Sequence, residues 1–197
     1  MKIYDITQEL FGGRVYPGDP APRYERVLKL SEGAPCNLTT LTLGAHNATH
    51  MDAPYHFYDN GKTIEQLDLH RCIGPCSVVD LSDKNGEELE SFLSCCSKRI
   101  LIKGDTVITL ELAKLFNQHQ IVLVGVEGQS VGPADAPKAV HLELLKEEVV
   151  LLEGLVLADI PDGEYFLSAA PLKLGGSDGA PCRAVLLSFG ETDTCNY

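Results

Sequence analysis

Four side chains able to bind a metal ion or move a proton, His46, His50, Asp52 and His56, fall within eleven residues of a 197-residue chain that has six histidines in all. The segment reads HNATHMDAPYHFYDNG. Imidazole nitrogens and carboxylate oxygens ligate zinc, manganese or iron at about 2.0–2.2 Å, and a catalytic ion keeps one position open for water. Two histidines and a carboxylate would meet that description. Four unrelated polar loop residues are the plain alternative, and the crowding argues against it.

The offsets of zero, four, six and ten test simple geometries. On a helix, His46 and His50 are neighbours, but Asp52 and His56 turn to other sides. A strand puts all four on one face yet spreads ten residues over roughly 33 Å. Neither regular element gathers them, so a strand entering a tight or short helical turn after LTLGA is expected, compatible with Asn47 and broken by Pro54.

The elements that must position them read as follows. Apolar or β-branched runs predict strands at KIYDIT, RYERVLKL, NLTTLTLGA, CSVVDLS, RILIK, IVLVGVE, VVLLEGLVLADI and RAVLLSF. Helices are expected over NGEELESFLSCC, with Asn85 as N-cap and Glu88 three residues on, over TLELAKLFNQH from Thr109, and over APKAVHLELLKEE after Pro137. The fold class is α/β with a mixed sheet, and the early strands, which lack intervening helices, imply an antiparallel or barrel-like part. No linker or repeat divides the chain, so residues 1–197 are expected to form one domain.

A second pair of candidate residues lies downstream. His141 sits in KAVHLELLKEE, and Glu153 interrupts VVLLEGLVL. A carboxylate in an apolar run is costly unless it is paired or bound to a cation. Glu153 also reads as a loop residue between two short strands marked by Gly154.

The segment HNATHMDAPYHF resembles the HxGTHxDxPxHF signature of the metal-dependent cyclase family. IYDITQELFGGRVYPGDP, TIEQLDLHRCIGPCSVVDLS and PLKLGGSDGAPCRAVLL look like the family's N-terminal, middle and C-terminal stretches. The resemblance implies a swivelling β/β/α type of fold and a centre of one or two divalent ions, zinc first and manganese second. It implies His46, His50, Asp52, His141 and Glu153 as ligands, the last two twelve residues apart, and His56 as the residue that transfers protons. It further implies hydrolysis of a small-molecule amide, most simply an N-formyl aryl amide such as N-formylkynurenine, with a cyclic amide or lactone of isatin type as the alternative. A homodimer or larger homo-oligomer also follows from it. Two departures stand out. Ala48 replaces the usual glycine before Thr49, at a cost of about 1 kcal/mol if φ there is positive. Tyr16 replaces the tryptophan of the WPGD stretch and is a substrate-contact candidate, as is Ser130.

GQSVG at 128–132 matches a nucleophile elbow after a strand-like run, but its helix would cross Pro133 and Pro137, and only His141 could serve as the later histidine. His70 and His119 have no partner pattern and read as surface or packing residues, and GGSDGAPCR, whose glycines permit close backbone approach to the site, reads more simply as a turn. A net charge of −12 argues against binding phosphate backbones. No apolar run reaches a membrane span, the N-terminus has no h-region, and seven cysteines lack zinc-ribbon spacing. A cytoplasmic protein with reduced thiols is expected. A metal- or ligand-binding protein without turnover is the non-enzyme alternative.

Overall fold

The computed structural model describes residues 1–133 and 135–189. In chain order its elements are β1 (Lys2–Asp5), β2 (Arg23–Leu28), β3 (Leu38–Thr42), β4 (His50–Asp52), α1 (Leu69–Cys72), β5 (Ile73–Val79), α2 (Gly86–Cys95), β6 (Arg99–Ile102), α3 (Leu110–Gln118), β7 (Leu123–Val126), α4 (Lys138–Leu145), β8 (Val150–Glu153), β9 (Gly163–Ser168), β10 (Gly179–Pro181) and β11 (Val185–Ser188). Nine strands form one sheet in the order β1-β11-β9-β5-β6-β7-β8-β4-β10. Strands β5 to β8 run parallel, and α2, α3 and α4 supply the crossovers that parallel neighbours require. The outer strands pair antiparallel, which gives the mixed α/β sheet expected from the sequence. The sheet curls into a half-barrel: Thr7, just past β1, bridges Leu155, just past β8, and Val156 donates its N–H to the Ile6 carbonyl.

Both faces of the central strands are buried, which is why RILIK and VVLLE read as unbroken apolar runs. Val78, Leu101, Leu123 and Leu152 face the concave core with Met51 and Leu167. Val79, Ile100, Val124 and Leu151 face the opposite core, made with Leu93, Phe116 and Leu144 of the helices. Thr109 caps α3 by accepting the Leu112 N–H at 3.2 Å. Asn85 occupies the N-cap of α2 but makes no side-chain cap bond.

Strands β2 and β3 form the antiparallel part expected of the early strands, as a two-stranded sheet apart from the main one. Two expectations need correction. VVLLEGLVLADI is a strand only to Glu153, because Gly154 turns the chain at φ +71°. Strands β4, β9 and β10 were not expected: β4 and β10 are three residues each, below the length at which alternation can be read. Among the described residues no helix is long and apolar enough to cross a membrane.

Candidate metal centre

The register of β4 against β8 places His50 opposite Glu153, Met51 opposite Leu152 and Asp52 opposite Leu151. Side chains alternate along a strand, so Met51 and Leu152 enter the concave core while His50, Asp52 and Glu153 share the other face with Leu151. Helix α4 packs on that face through Val140, Leu144 and Leu145, and so brings His141 to the same spot. The position is the carboxyl end of a parallel strand, where open α/β sheets offer their crevices. His50, Asp52, His141 and Glu153 are only 2, 1, 3 and 3% exposed, so each would cost several kcal/mol to bury uncompensated.

The imidazoles are aimed. His50 Nδ1 lies 2.9 Å from the Ala48 carbonyl, and His141 Nδ1 lies 2.9 Å from the Pro137 carbonyl. A carbonyl only accepts, so each Nδ1 carries the hydrogen and each Nε2 faces the carboxylates, an arrangement typical of metal-ligating histidines. His50 Nε2 is 3.4 Å from Asp52 Oδ1 and 3.3 Å from Glu153 Oε2. His141 Nε2 is 3.4 Å from Glu153 Oε1 and 3.7 Å from Asp52 Oδ2. These separations are long for hydrogen bonds. They suit donors around one cation, since two ligands at about 2.1 Å in tetrahedral array lie roughly 3.4 Å apart. Asp52 Oδ2 is buried without a hydrogen-bond partner among the described residues, and the Val131 N–H donates to Glu153 Oε1 at 2.8 Å. The residues therefore fit a divalent ion.

Electrostatics agree with the geometry. Burial pulls the His50 imidazole down, but Asp52 and Glu153 outweigh it and raise its pKa to about 10. Burial likewise opposes the charged form of His141, and Glu153 raises it nonetheless. Burial would raise Asp52, yet His46 and His50 hold it well below the usual carboxylate range. Two carboxylates facing two imidazoles attract positive charge, which protons supply when no cation does.

The remaining motif residues come from a turn and a short helix. Residues 43–49 turn back after β3, with Ala48 at φ +55°, and the chain becomes strand β4 before Pro54 starts a single 3₁₀ turn, Pro54–His56. Strand β3 thus enters a turn after LTLGA as expected, the short strand β4 that follows it was not expected, and Pro54 opens the helical turn in the N1 position it favours. Thr49 fastens the bend by donating to the Gly154 carbonyl at 2.5 Å while accepting the Gln8 N–H at 2.9 Å. His46 Nδ1 lies 2.8 Å from Asp52 Oδ1, and the His46 and His56 ring centroids are 4.1 Å apart. Burial lowers the His46 pKa, but the Asp52 carboxylate more than offsets this and raises it to about 8. Ligand atoms of two groups converge within 4.8 Å: His46, Asp52 and His56, and His50, Asp52 and Glu153, with Asp52 common to both.

A cavity of about 190 Å³ opens onto His46, His50, His56, His141 and Glu153, with Tyr16 and Ser130 in its wall. An adjoining cavity of about 430 Å³ shares Tyr16, Gln129 and Ser130 and continues toward Val107 and Val131. Ser130 lies in the loop after β7, and the next helix begins only at Lys138, so the strand–turn–helix of a nucleophile elbow is not formed. His70 is exposed, and His119 pairs with Glu90 at 2.9 Å.

One residue of the site escaped the sequence reading. Asp178, in the stretch expected to be a turn, lies 2.8 Å from His46 Nε2 and 3.1 Å from His56 Nδ1 through the same oxygen, Oδ2. Next to it, strand β10 pairs Gly179 with Asp52, and a Cβ at Gly179 would stand 2.7 Å from His46 Cε1. The glycine is what lets this strand pass against the imidazole. The only sequence signal was an acid between glycines in a segment 126 residues from Asp52.

The curled mixed sheet and its buried, convergent imidazoles and carboxylates define a protein built around a His/Asp/Glu metal site. The family model described as "Putative cyclase" matches residues 4–109. A kynurenine formamidase of Bacillus anthracis is 33% identical over 202 residues, covering 94% of this chain and 97% of its own. A solved structure described as a "Potential Metal-Dependent Hydrolase With Cyclase Activity" superposes with a TM-score of 0.77 at 30% identity, over 94% of this chain and 96% of that one. An isatin hydrolase bound to thioisatinate shares the fold, with a TM-score of 0.80 at 20% identity over 96% and 93% of the two chains. The chain belongs to the cyclase family.

Proposed function

We propose that residues 1–197 form one metal-dependent hydrolase domain acting on amide bonds, and that its substrate is an N-formyl aryl amide, N-formylkynurenine first, cleaved to the amine and formate. The observation that carries this reading is Asp52 Oδ2, a buried carboxylate oxygen with no hydrogen-bond partner among the described residues, set among imidazoles whose Nε2 atoms face it. The full-length likeness to a kynurenine formamidase supports the choice of substrate.

His46, His50, Asp52, His141 and Glu153 would hold the metal, zinc first and manganese as the alternative, as one ion or as two sharing Asp52. When bound, such an ion lowers the pKa of a coordinated water to about 7 and polarises the carbonyl. The chain's own residues do the rest. The Ala48 and Pro137 carbonyls fix the tautomers of His50 and His141, so no imidazole must reorient during turnover. His56, at the rim of the cavity, hands a proton to the leaving amine nitrogen, which must be protonated before the C–N bond breaks. Tyr16 and Ser130 line the path and orient the aryl part, with the adjoining cavity receiving the substituent.

The hairpin β2–β3 supports a homodimer. It carries the cross-strand pairs Tyr24 with Leu41 and Leu28 with Leu38 in exposed positions, and a two-stranded hairpin is marginal by itself. The six described cysteines are free, which suits a reducing cytoplasm.

Metal analysis of the purified protein, paired with a kinetic screen of aryl formamides, cyclic amides and lactones, tests the function. Stoichiometric metal with turnover of N-formylkynurenine is expected. Ring opening without formamide cleavage would replace the substrate, and bound metal with no turnover on the panel would remove the enzyme.

A further inference from the structure

A carboxylate oxygen can accept two N–H donors at once, and Asp178 Oδ2 has two imidazole nitrogens within reach, His46 Nε2 at 2.8 Å and His56 Nδ1 at 3.1 Å. A neutral ring that donates to Asp178 presents its other nitrogen as a lone pair, as His46 does once a cation takes the place of the proton it shares with Asp52. For His46 that atom is Nδ1, which already lies 2.8 Å from the central carboxylate Asp52. For His56 it is Nε2, the nitrogen left to carry a proton. The two rings are held as a pair, 4.1 Å between centroids with planes tilted 34°.

Asp178 is itself well placed. Its carbonyl accepts the Ala53 N–H at 2.9 Å, the preceding Ser177 carbonyl accepts the Ile64 N–H at 2.9 Å, and Ser177 Oγ donates to the Gly179 carbonyl at 2.7 Å. Gly179 continues into β10, hydrogen-bonded beside Asp52 on β4. The carboxylate therefore sits on the sheet's framework, with its backbone tied to residues on both sides of His56.

Resting on the reading of His46 as a ligand and His56 as the proton carrier, we infer that Asp178 is a positioning residue whose single oxygen sets the tautomer and orientation of both rings. Grip on the metal and proton transfer to the leaving amine are then adjusted by one group. Hydrogen-bonded partners of metal-ligating histidines typically change affinity or activity by about 10–100-fold when removed.

The test compares Asp178→Ala and Asp178→Asn with the wild-type protein in three measurements. Imidazole ¹⁵N shifts of His46 and His56 in the metal-free protein, recorded above about pH 9 where His46 has lost its second proton, read the tautomers directly. Zinc affinity is measured by chelator competition. Values of kcat and KM are measured with metal at saturation, on whichever aryl formamide the wild-type enzyme cleaves. The alanine variant is expected to lose the Nδ1–H tautomer of His56, to bind zinc about 10-fold more weakly, and to lose about 10–100-fold in kcat with KM unchanged. The asparagine variant, which keeps one acceptor oxygen, should recover part of each. Unchanged ¹⁵N shifts and zinc affinity in both variants would overturn the inference, as would a rise in KM at constant kcat, which would mark a substrate contact. Because tautomer and zinc affinity need no substrate, they decide the role of Asp178 even if the formamide reading fails.

Discussion

His50, Asp52, His141 and Glu153 are 1–3% exposed, whereas Tyr24, Leu38 and Leu41 of the β2–β3 hairpin are 51–58% exposed. Charged groups are almost never fully buried unless paired, and large apolar groups contribute most when removed from water. The two regions therefore depart from the usual partition in opposite directions, and each is explained by something that completes it. A cation turns the buried carboxylates and imidazoles from a desolvation cost into a binding site. In the proposed homodimer, a second copy of the chain would turn the exposed hairpin into an interface. If both readings hold, the two regions fail independently.

The largest effect separates them at the buried end. Asp52→Ala removes the residue common to both donor groups, so the variant should lose stoichiometric metal and at least about 10³-fold in turnover, while its mass by light scattering stays that of the wild type. Retained metal with full activity would show that Asp52 is a structural ion-pair partner. Chelation is the milder version. A ligand present at 100 times its Kd stabilises the folded state by about 2.7 kcal/mol, so stripping the metal should lower Tm by roughly 5–10 °C. Next in size, His56→Ala should cut kcat by about 10²-fold with metal content intact, since His56 lies at the cavity and is not needed to balance Glu153. Loss of metal in that variant would move His56 into the coordination sphere with His46 and Asp52.

At the exposed end, Leu41→Asp places a charge opposite Tyr24 without touching the sheet that carries the site. The expected result is a light-scattering mass equal to the 21.4 kDa chain with undiminished metal content. A wild-type mass already equal to one chain would remove the interface, leaving the hairpin's apolar pairs without a role.

How much of this was legible in the sequence differs between the regions for a physical reason. His46, His50, Asp52 and His56 announced themselves because the candidate residues are crowded and of types suited to metal binding or proton transfer, and β5 to β8 because both faces are apolar. The hairpin's strands were legible as strands, but nothing local says whether a strand joins a sheet. Asp178 was hidden by distance: it meets His46 only because β10 adds to β4, and three-residue strands carry no periodicity. Glu153 sat between two readings until register placed it opposite His50. Pairing over long separations is decided by the packed fold and not by neighbouring residues.

The smallest effect bears on Ala48, the bend that joins the two halves of the motif. Its φ of +55° lies in the left-handed region, which costs a residue with a Cβ about 1–2 kcal/mol. Ala48→Gly relieves that strain. It also removes a methyl from a side chain only 7% exposed, about 0.8 kcal/mol, and frees the unfolded chain by a further 0.4–1 kcal/mol or so. The terms nearly cancel, so the variant should stay within about 1 kcal/mol of the wild type, a Tm change of roughly 4 °C at most. Metal affinity should hold as well, because the feature the site uses is the Ala48 carbonyl that fixes His50, and glycine keeps it. A gain well above 1 kcal/mol would mean that the strain dominates and that alanine persists at this bend for a reason other than stability. The sharper comparison is Ala48→Val: a β-branched side chain in the left-handed region adds strain without any compensating release, and the bend holding His46 against Asp52 should loosen, lowering zinc affinity together with Tm.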